Sequence, residues 1–397
     1  MPHISPPKYV KQILITLQSR GHLAYLVGGC VRDIVMDTEP QDWDICTSAL
    51  PEQVLELFPG SRPTGIKHGT VTVVIGSRTA EVTTFRTEED YRDHRRPEAV
   101  HFVSDLISDL SRRDFTMNAI ALSADGLIAD PYGGIEDIEK RVIRCVGEPE
   151  RRFNEDALRM FRALRFSAKL GFTVDYETLS GIEKCAGTAE LLAPERVRDE
   201  LEKILLTQRP ETVGAAIGFG LLKRYLPCAG GKMPDFVKIA ELPRKALPRW
   251  AAFSVMLYRA GFIRSVDEFL LSLRLDGRTV RCCTDADEIL SGELPKDKLG
   301  WKKLLNRCGV DSVSCAASVC EAVLGISCEK ELRAVLKSGE CFSLKHLAVT
   351  GDDLLELGFS GAALGEMLGF MLDYVMEYPE RNRRETLLEL AYSEDNS

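Results

Sequence analysis

The chain contains 397 residues, of which 45% are hydrophobic, and its formal net charge is −9 at pH 7. This length predicts about two to four compact units, with ample apolar material for their cores. The negative charge excludes a polycation, so a nucleic-acid partner must meet a local basic surface. The sequence contains neither an apolar signal core near its start nor a run of about 18 apolar residues, so we expect no membrane span and a cytoplasmic protein.

The twelve cysteines include no Cys-x-x-Cys pair and are scattered along the chain. This pattern argues against a zinc site and against the disulfide framework of a small secreted domain. We expect reduced thiols that are mostly buried.

The first predicted elements are a helix, a short strand and a turn. Residues 8–20 predict a helix with one apolar face, and residues 25–27 predict a buried strand that ends at Gly28 and Gly29. Two glycines at such a turn let the backbone approach a ligand closely, and the helix that should follow opens its positive N-terminus there. Arg32 lies one turn into that helix, within reach of a phosphate.

A second strand is predicted at residues 42–45. Because strand side chains alternate in direction, Asp42 and Asp44 share one face. Trp43 and Ile45 then turn into the core. Two carboxylates about 7 Å apart along one face suit a pair of magnesium ions that lie roughly 3.5–4 Å from each other. A lone Asp-x-Asp is more often a solvated strand edge, so its value as evidence for a magnesium site depends on the rest of the chain.

A hairpin is predicted next, because residues 70–75 and 79–85 are rich in β-branched residues and flank a Gly-Ser turn. Glu81 falls on its second strand. If the hairpin packs beside the strand of Asp42 and Asp44, Glu81 becomes a candidate third carboxylate that binds metal or receives a hydroxyl proton. An exposed strand glutamate accounts for this residue equally well.

Charged segments follow the hairpin. Residues 86–100 are nearly free of apolar side chains, and we expect them to form a mobile loop. Ser111 is predicted to cap a short helix that carries Arg112 and Arg113. Residues 119–129 predict another hairpin, over an Asp-Gly turn.

A strongly helical pattern covers residues 155–166. Residues 141–170 contain eight Lys or Arg against four Asp or Glu, a local excess of four positive charges in a negative chain. Four charged residues recur at every third position: Asp156, Arg159, Arg162 and Arg165. Such a stripe is most often a salt-bridged solvent face. An arginine fork and a carboxylate three residues apart can also address the donor and acceptor edge of a nucleic-acid base.

Six motifs occur in one order: LVGGxVRD at 26–33, DWD at 42–44, EVTTFR at 81–86, RRDFTMNA at 112–119, DPYGG at 130–134 and EDALRxxRxxR at 155–165. Together they resemble the class II CCA-adding tRNA nucleotidyltransferases, sisters of the bacterial poly(A) polymerases in the polymerase-beta superfamily. The segment 194–200 extends the likeness. The resemblance implies an α+β fold: an N-terminal polymerase-beta-like nucleotidyltransferase head with a mixed sheet, followed by an all-helical neck, body and tail.

The same resemblance implies the domain boundaries. We expect a catalytic head at 1–146, a nucleotide-selecting neck at 147–208, a body at 209–310 and a tRNA-binding tail at 311–397. Amphipathic helix patterns fill most of the last two ranges.

The residue roles of the head also follow from the resemblance. Asp42 and Asp44 would be catalytic and would hold two Mg²⁺ ions, one at the RNA 3′-hydroxyl and one at the triphosphate. Gly29 and Arg32 would contact the triphosphate, while Arg113 would help to place the nucleotide.

In the neck, Asp156 and Arg159 would read the Watson–Crick edge of CTP or ATP in place of a nucleic-acid template. Arg162 and Arg165 would support that pocket and the phosphates. The implied reaction is in-line attack on the α-phosphorus with loss of pyrophosphate. It would add C, C and A to the 3′ end of a tRNA that the protein contacts at the acceptor stem and elbow.

Three alternatives stay open. A poly(A) polymerase shares the head and neck, but its usual Gly-Arg-Arg-Phe element is replaced by the sequence at 62–70. An A-only tRNA enzyme fits too. CC-only relatives usually lack the loop that this chain retains at 86–97 with Arg92 and Arg95, which favours competence for the A step. From a different class, a non-catalytic RNA-binding protein is less favoured, because the metal ligands are intact.

Overall fold

The structure is a computed structural model that describes residues 4–92 and 96–395, with the side chains of 88–92, 96–100 and 394–395 left out. It divides into two compact units, Met1–Arg224 and Tyr225–Ser397. A mixed sheet lies in the N-terminal part and helices dominate the rest, so the expected fold class is confirmed. The expected division into head, neck, body and tail stays a prediction.

The helices of the first unit are mostly short. Within its described residues they are α1 Lys8–Ser19, α2 Gly29–Val35, α3 Pro51–Leu57, α4 Leu106–Ser111, α5 Gly134–Glu139, α6 Pro149–Glu155, α7 Leu158–Leu170, α8 Tyr176–Cys185, α9 Pro194–Leu205 and α10 Val213–Gly218. The strands are β1 Ala24–Val27, β2 Asp44–Thr47, β3 Arg62–Gly65, β4 Thr70–Ile75, β5 Arg78–Thr84, β6 Arg86–Arg92, β7 Arg96–Phe102, β8 Ala121–Leu122, β9 Ile128–Ala129, β10 Val142–Ile143 and β11 Thr173–Val174.

Seven strands form one mixed sheet in the order β3-β4-β5-β2-β1-β8-β9. Neighbouring strands are antiparallel except β2 and β5, which run parallel. In that parallel pair Asp44 lies opposite Glu81. The predicted hairpins at 70–85 and 119–129 are both present, as β4–β5 and β8–β9. The sheet therefore sets the two acidic residues side by side at its centre.

Apolar periodicity explains the elements that the sequence predicted well. In α1, Val10, Ile13, Leu14 and Leu17 recur at helical spacing and are fully buried. One core cluster of the first unit joins residues of the sheet to α4 and includes Val27, Cys46, Phe85, Leu106 and Leu110. Trp43 and Ile45 are buried as predicted, although β2 begins at Asp44 and leaves Asp42 just ahead of the strand.

The prediction of a loop at 86–100 is wrong. β6 and β7 form an antiparallel hairpin there, with Arg86 opposite Phe102 and Arg92 opposite Arg96. Backbone hydrogen bonds build such a ladder without any need for an apolar face. The hairpin is a separate two-stranded sheet, which explains why the core periodicity of the sequence did not reveal it. Residues 93–95, including the Arg95 singled out above, lie outside the described residues.

Two further local predictions are corrected. Ser111 ends α4 and does not cap a helix, since Asp105 caps α4 by accepting a hydrogen bond from the Ser108 amide. The helix expected across 155–166 is also broken. α6 ends at Glu155, Asp156 adopts an extended backbone, and α7 begins at Leu158.

The second unit is helical in its described part. Its helices are α11 Ala246–Arg259, α12 Val266–Ser272, α13 Gly277–Ser291, α14 Lys298–Val319 with a kink at Gly309, α15 Glu329–Ser338, α16 Gly351–Glu356, α17 Gly361–Glu377 and α18 Arg384–Asp395. All twelve cysteines of the chain are free thiols and ten are buried, as expected. Among the helices of residues 4–92 and 96–395, none combines the length and apolar character that a membrane crossing requires.

Candidate active site

A cleft of about 810 Å³ opens in the first unit, within the size range of small-molecule sites. All nine residues predicted for the site line this cleft: Gly29, Arg32, Asp42, Asp44, Arg113, Asp156, Arg159, Arg162 and Arg165. The fold therefore brings together residues that are up to 136 positions apart (29 to 165) in the sequence.

The turn between β1 and α2 forms one side of the cleft. Gly28 has a φ of 73°, a conformation that side-chain-bearing residues rarely adopt. A Cβ atom at Gly28 would lie 3.1 Å from Nη1 of Arg113 and 3.8 Å from Oδ2 of Asp44. Gly28 thus permits a close approach of this turn to both side chains, whereas Gly29 lies beside Arg32 with ordinary spacing.

Asp44 lies beside this turn, with Asp42 two residues ahead of it and the exposed Glu81 opposite it in the sheet, and we call these three residues the acidic edge. Burial raises the pKa of Asp44, and the negative charges of Glu81 and Asp42 raise it further, whereas Arg113 opposes them. Asp42 is exposed and Asp44 is half-buried. Among the described residues, no cation forms an ion pair with a member of the acidic edge. The edge is therefore a concentration of negative charge that Arg113 offsets only in part.

Arg113 is held near the acidic edge by Asp109. Its Nη2 lies 3.1 Å from Oδ2 of Asp109, while Arg112 donates to Oδ1 of the same carboxylate at 3.0 and 2.8 Å. Although burial works to raise the pKa of Asp109, the two arginines lower it below its usual range. Asp109 thus anchors both guanidinium groups as a carboxylate.

Arg32 is also fixed before any ligand binds. It is only 3% exposed, and its Nε and Nη2 donate to Oδ1 of Asp33 at 2.9 and 2.6 Å. Its Nη1 donates to Oδ1 of Asn118 at 3.0 Å. Asn118 in turn donates to Asp114, so the helix α2 is linked to the Arg-Arg-Asp turn.

Helix α7 faces the cleft with three arginines, Arg159, Arg162 and Arg165, and we call it the arginine helix. Arg162 binds Asp114 through Nε, at 2.8 Å, and through Nη2. Burial works to raise the pKa of Asp114, but Arg162, together with a hydrogen bond from Asn118, holds it at about 2. Arg165 forms an ion pair with Glu200 of α9, Nε to Oε2 at 2.5 Å.

The break between α6 and α7 gives Asp156 and Arg159 different partners. Asp156 accepts two hydrogen bonds from Arg196 of α9, at 3.1 and 2.9 Å, and one from the Leu158 amide. Arg159 donates to Glu155 at 2.7 Å and to the Arg112 carbonyl at 3.0 Å. The carboxylate and the guanidinium are thus both positioned, without a bond between them.

Sequence reasoning missed the residues that hold these arginines in place. Asp109, Asp114, Asn118, Arg196 and Glu200 each bind one of the predicted site residues. The recognised segments 112–119 and 194–200 contain all of them except Asp109, and the excess of arginines signalled that acidic partners must exist. Spacing along one segment could not identify partners supplied by other elements.

The chain is similar to known proteins over almost its whole length. Residues 24–144 match the family described as "Poly A polymerase head domain", and residues 171–230 match the family described as "Probable RNA and SrmB- binding site of polymerase A". A CCA-adding enzyme of Geobacillus sp. (strain WCH70) is 40% identical over 354 residues, which cover 87% of this chain and 86% of that protein. A CCA-adding enzyme of Limosilactobacillus fermentum is 35% identical over 393 residues, which cover 96% of this chain and 95% of that protein.

A solved structure agrees with these sequence matches. The crystal structure of Bacillus stearothermophilus CCA-adding enzyme in complex with CTP superposes with a TM-score of 0.79 at 33% sequence identity. The alignment covers 99% of this chain and 100% of that one. The similarity therefore extends through both compact units.

Proposed function

Because the chain belongs to the CCA-adding enzyme family, we propose that it adds C, C and A to the 3′ end of tRNA, using CTP and ATP and releasing pyrophosphate. The reaction needs no nucleic-acid template. The product is a tRNA with a new or repaired 3′ end. We place this activity in the cytoplasm.

One observation carries the proposal: Asp42 and Asp44 of the acidic edge line the same cleft as the arginine helix, and the cleft has the volume of a small-molecule site. A nucleoside triphosphate presents a strongly negative phosphate chain and a base with donor and acceptor groups. Cations suit the first and a fixed carboxylate–guanidinium pair suits the second.

Nucleotidyltransferases generally use divalent metal. In the described part of the chain no three His, Cys, Asp or Glu side chains converge on one metal position, but the acidic edge has the donor chemistry for a divalent cation. Its donors are carboxylate oxygens, the ligands that Mg²⁺ prefers, and their mutual repulsion favours a cation. We propose that Asp42 and Asp44 hold Mg²⁺, with Glu81 as a third carboxylate beside Asp44. When bound there, Mg²⁺ would lower the pKa of the RNA 3′-hydroxyl and neutralise charge on the triphosphate.

The remaining residues of the cleft bind and orient the nucleotide. Gly29, Arg32 and Arg113 contact the triphosphate, and the hydrogen bonds that fix Arg32 and Arg113 keep them in place before binding. Such preorganisation lets the cations meet the phosphates without first rearranging, which favours in-line attack on the α-phosphorus.

Asp156 and Arg159 select the base. A carboxylate accepts hydrogen bonds and a guanidinium donates them, so the two together distinguish the edges of cytosine and adenine from those of uracil and guanine. Arg162 and Arg165 support this pocket through Asp114 and Glu200.

The division of the chain into four domains also belongs to this proposal: head 1–146, neck 147–208, body 209–310 and tail 311–397. We propose that the protein contacts tRNA at its acceptor stem and elbow.

The experiment uses the purified chain, Mg²⁺ and a labelled tRNA that lacks its last three nucleotides. With CTP alone we expect two added nucleotides, with both triphosphates three, and with ATP alone none on this substrate. Omission of Mg²⁺ with added chelator should stop incorporation.

The alternatives predict other products. A-only addition to a tRNA that already ends in C-C, without any use of CTP, would identify an A-adding enzyme. Long A tails on unrelated RNA would identify a poly(A) polymerase. Binding of tRNA without incorporation would support a non-catalytic RNA-binding protein and would overturn the proposal.

A further inference from the structure

One aromatic ring lies among three of the cleft arginines. The Phe166 ring centroid is 5.5 Å from the guanidinium carbon of Arg32, 5.6 Å from that of Arg162 and 4.2 Å from that of Arg165. The ring is 6% exposed and lines the cleft. Phe115 packs edge-on against it, with centroids 5.8 Å apart and planes at 84°.

The three guanidinium groups come from two separate parts of the fold. Arg32 belongs to α2, beside the glycine turn, whereas Arg162 and Arg165 belong to the arginine helix. Each has one carboxylate partner: Asp33 for Arg32, Asp114 for Arg162 and Glu200 for Arg165. These carboxylates offset the charge of each cation. Hydrogen bonds through Asn118 and Asp114 link Arg32 to Arg162, but none of these ion pairs joins Arg32 to Arg165.

The Phe166 ring is a contact that all three guanidinium groups share. The face of a phenyl ring carries negative potential, so a cation within about 6 Å of the centroid is attracted to it. The three guanidinium groups repel one another because they carry like charge. Attraction to one shared ring offsets part of this repulsion and holds the groups in position. An aliphatic side chain of similar volume would fill the space without this attraction.

We propose that Phe166 is a positioning residue, which fixes the phosphate-contacting Arg32 relative to Arg162 and Arg165 of the base-selecting helix. This inference rests on the proposed function, because it assigns a role in nucleotide binding. Phe166 acts through the guanidinium groups and not by contact with reacting atoms.

The test replaces Phe166 with phenylalanines that carry one to five fluorine atoms. Fluorination withdraws electron density from the ring face while changing its shape little, so it weakens cation attraction in graded steps. We expect the KM for CTP and ATP to rise with each fluorine, to about tenfold for the pentafluoro ring. The kcat should change less than about twofold, since the arginines bind nucleotide before and during the reaction alike.

Phe153 provides the matched control. It is a fully buried phenylalanine of α6 whose ring packs near Gly181 of α8. The same fluorine series at Phe153 should leave KM unchanged. The variant Phe166→Leu should raise KM at least as much as pentafluorination, while Phe166→Tyr, which keeps an aromatic face, should restore most of the affinity.

The outcomes separate this inference from the proposed function. If the unmodified chain adds C, C and A but the Phe166 fluorine series leaves KM flat, Phe166 is only a core residue and the inference is wrong. If KM follows thermal stability rather than fluorine number, the inference is equally wrong. If the unmodified chain incorporates no nucleotide, the proposed function itself fails.

Discussion

The acidic edge and the arginine helix carry opposite charges, and they also differ in how that charge is held. Arg162 and Arg165 each bind a carboxylate, with Asp114 and Glu200 as partners. Asp42, Asp44 and Glu81 have no ion-pair partner in the described part of the chain. Arg162 and Arg165 are thus neutralised within the protein, whereas the acidic edge keeps a net negative charge that a cation from solution would offset.

Because their charge is held differently, the two regions are suited to different tasks. A neutralised, hydrogen-bonded guanidinium is rigid, and rigidity suits the recognition of a base edge. A cluster of unpaired carboxylates is unfavourable alone and becomes favourable when metal binds. We therefore expect substitution of Asp42 or Asp44 in the acidic edge to abolish chemistry, and substitutions around the arginine helix to alter selection or stability.

The largest effect is expected for Asp44→Asn. Loss of a carboxylate at the proposed metal site should lower kcat for nucleotide addition by more than about 10³-fold. Because Asp42 and Glu81 repel Asp44, neutralising it should not lower the melting temperature. Binding of tRNA should persist. Single-turnover incorporation, thermal unfolding and filter binding measure the rate of addition, the melting temperature and the tRNA affinity. A variant that retains activity would remove the acidic edge from the mechanism.

Arg159→Ala should alter selection more than rate. Without this donor, the preference for CTP and ATP over UTP and GTP, measured as the ratio of kcat/KM values, should fall by about 10- to 100-fold. Arg198→Ala on α9, which removes an arginine paired with the neighbouring Asp199, is the control and should leave the ratio unchanged. An intact preference in Arg159→Ala would contradict base reading by the protein.

Asp114→Asn should chiefly change stability. The pKa of Asp114 is about 2 in the folded chain against an ordinary value of 3.8, and a shift of that size corresponds to about 2 kcal/mol. Because the folded pKa is the lower one, this contribution is present above about pH 4 and is lost as the pH falls towards 2.

The free energy of unfolding from urea titrations, measured between pH 6 and pH 3, checks this expectation. The unsubstituted chain should lose stability faster than Asp114→Asn as the pH falls. Asp199→Asn removes an exposed carboxylate and should parallel the unsubstituted chain. Parallel curves for all three proteins would show that the Asp114–Arg162 pair contributes nothing.

The smallest effect is expected for Glu81→Gln. Glu81 neighbours Asp44 but does not line the cleft, so Glu81→Gln should lower kcat by only about tenfold. This substitution also decides between the two interpretations of the residue. No change in the incorporation rate would identify Glu81 as an exposed strand residue without a part in catalysis.

Local patterns in the sequence predicted much of this fold. The spacing of Val10, Ile13 and Leu17 identified α1, and the alternation around Trp43 identified β2, because one buried face leaves a periodic trace. The hairpin of β6 and β7 left no such trace, since its strands pair with each other outside the main sheet. A polar ribbon and a polar loop have the same composition.

The same limit applies to the candidate site, where residues close together in the sequence were predicted and their partners from distant elements were not. The motifs identified Asp44 and Arg159, because residues of one function cluster within short segments. They did not identify Arg196 or Glu200 as partners of Asp156 and Arg165, since α9 lies some 30 to 40 residues further along the chain. Pairing across elements is a property of the folded chain and of no single segment.

The interruption between α6 and α7 has a consequence for how selectivity can evolve. In an unbroken helix, Asp156 and Arg159 would stand one turn apart and quench each other as an intrahelical pair. With the interruption, the acceptor is tuned from α9 through Arg196 and the donor from α6 through Glu155. Changes in one neighbour can therefore adjust the acceptor or the donor of the proposed base-reading pair without directly altering the other.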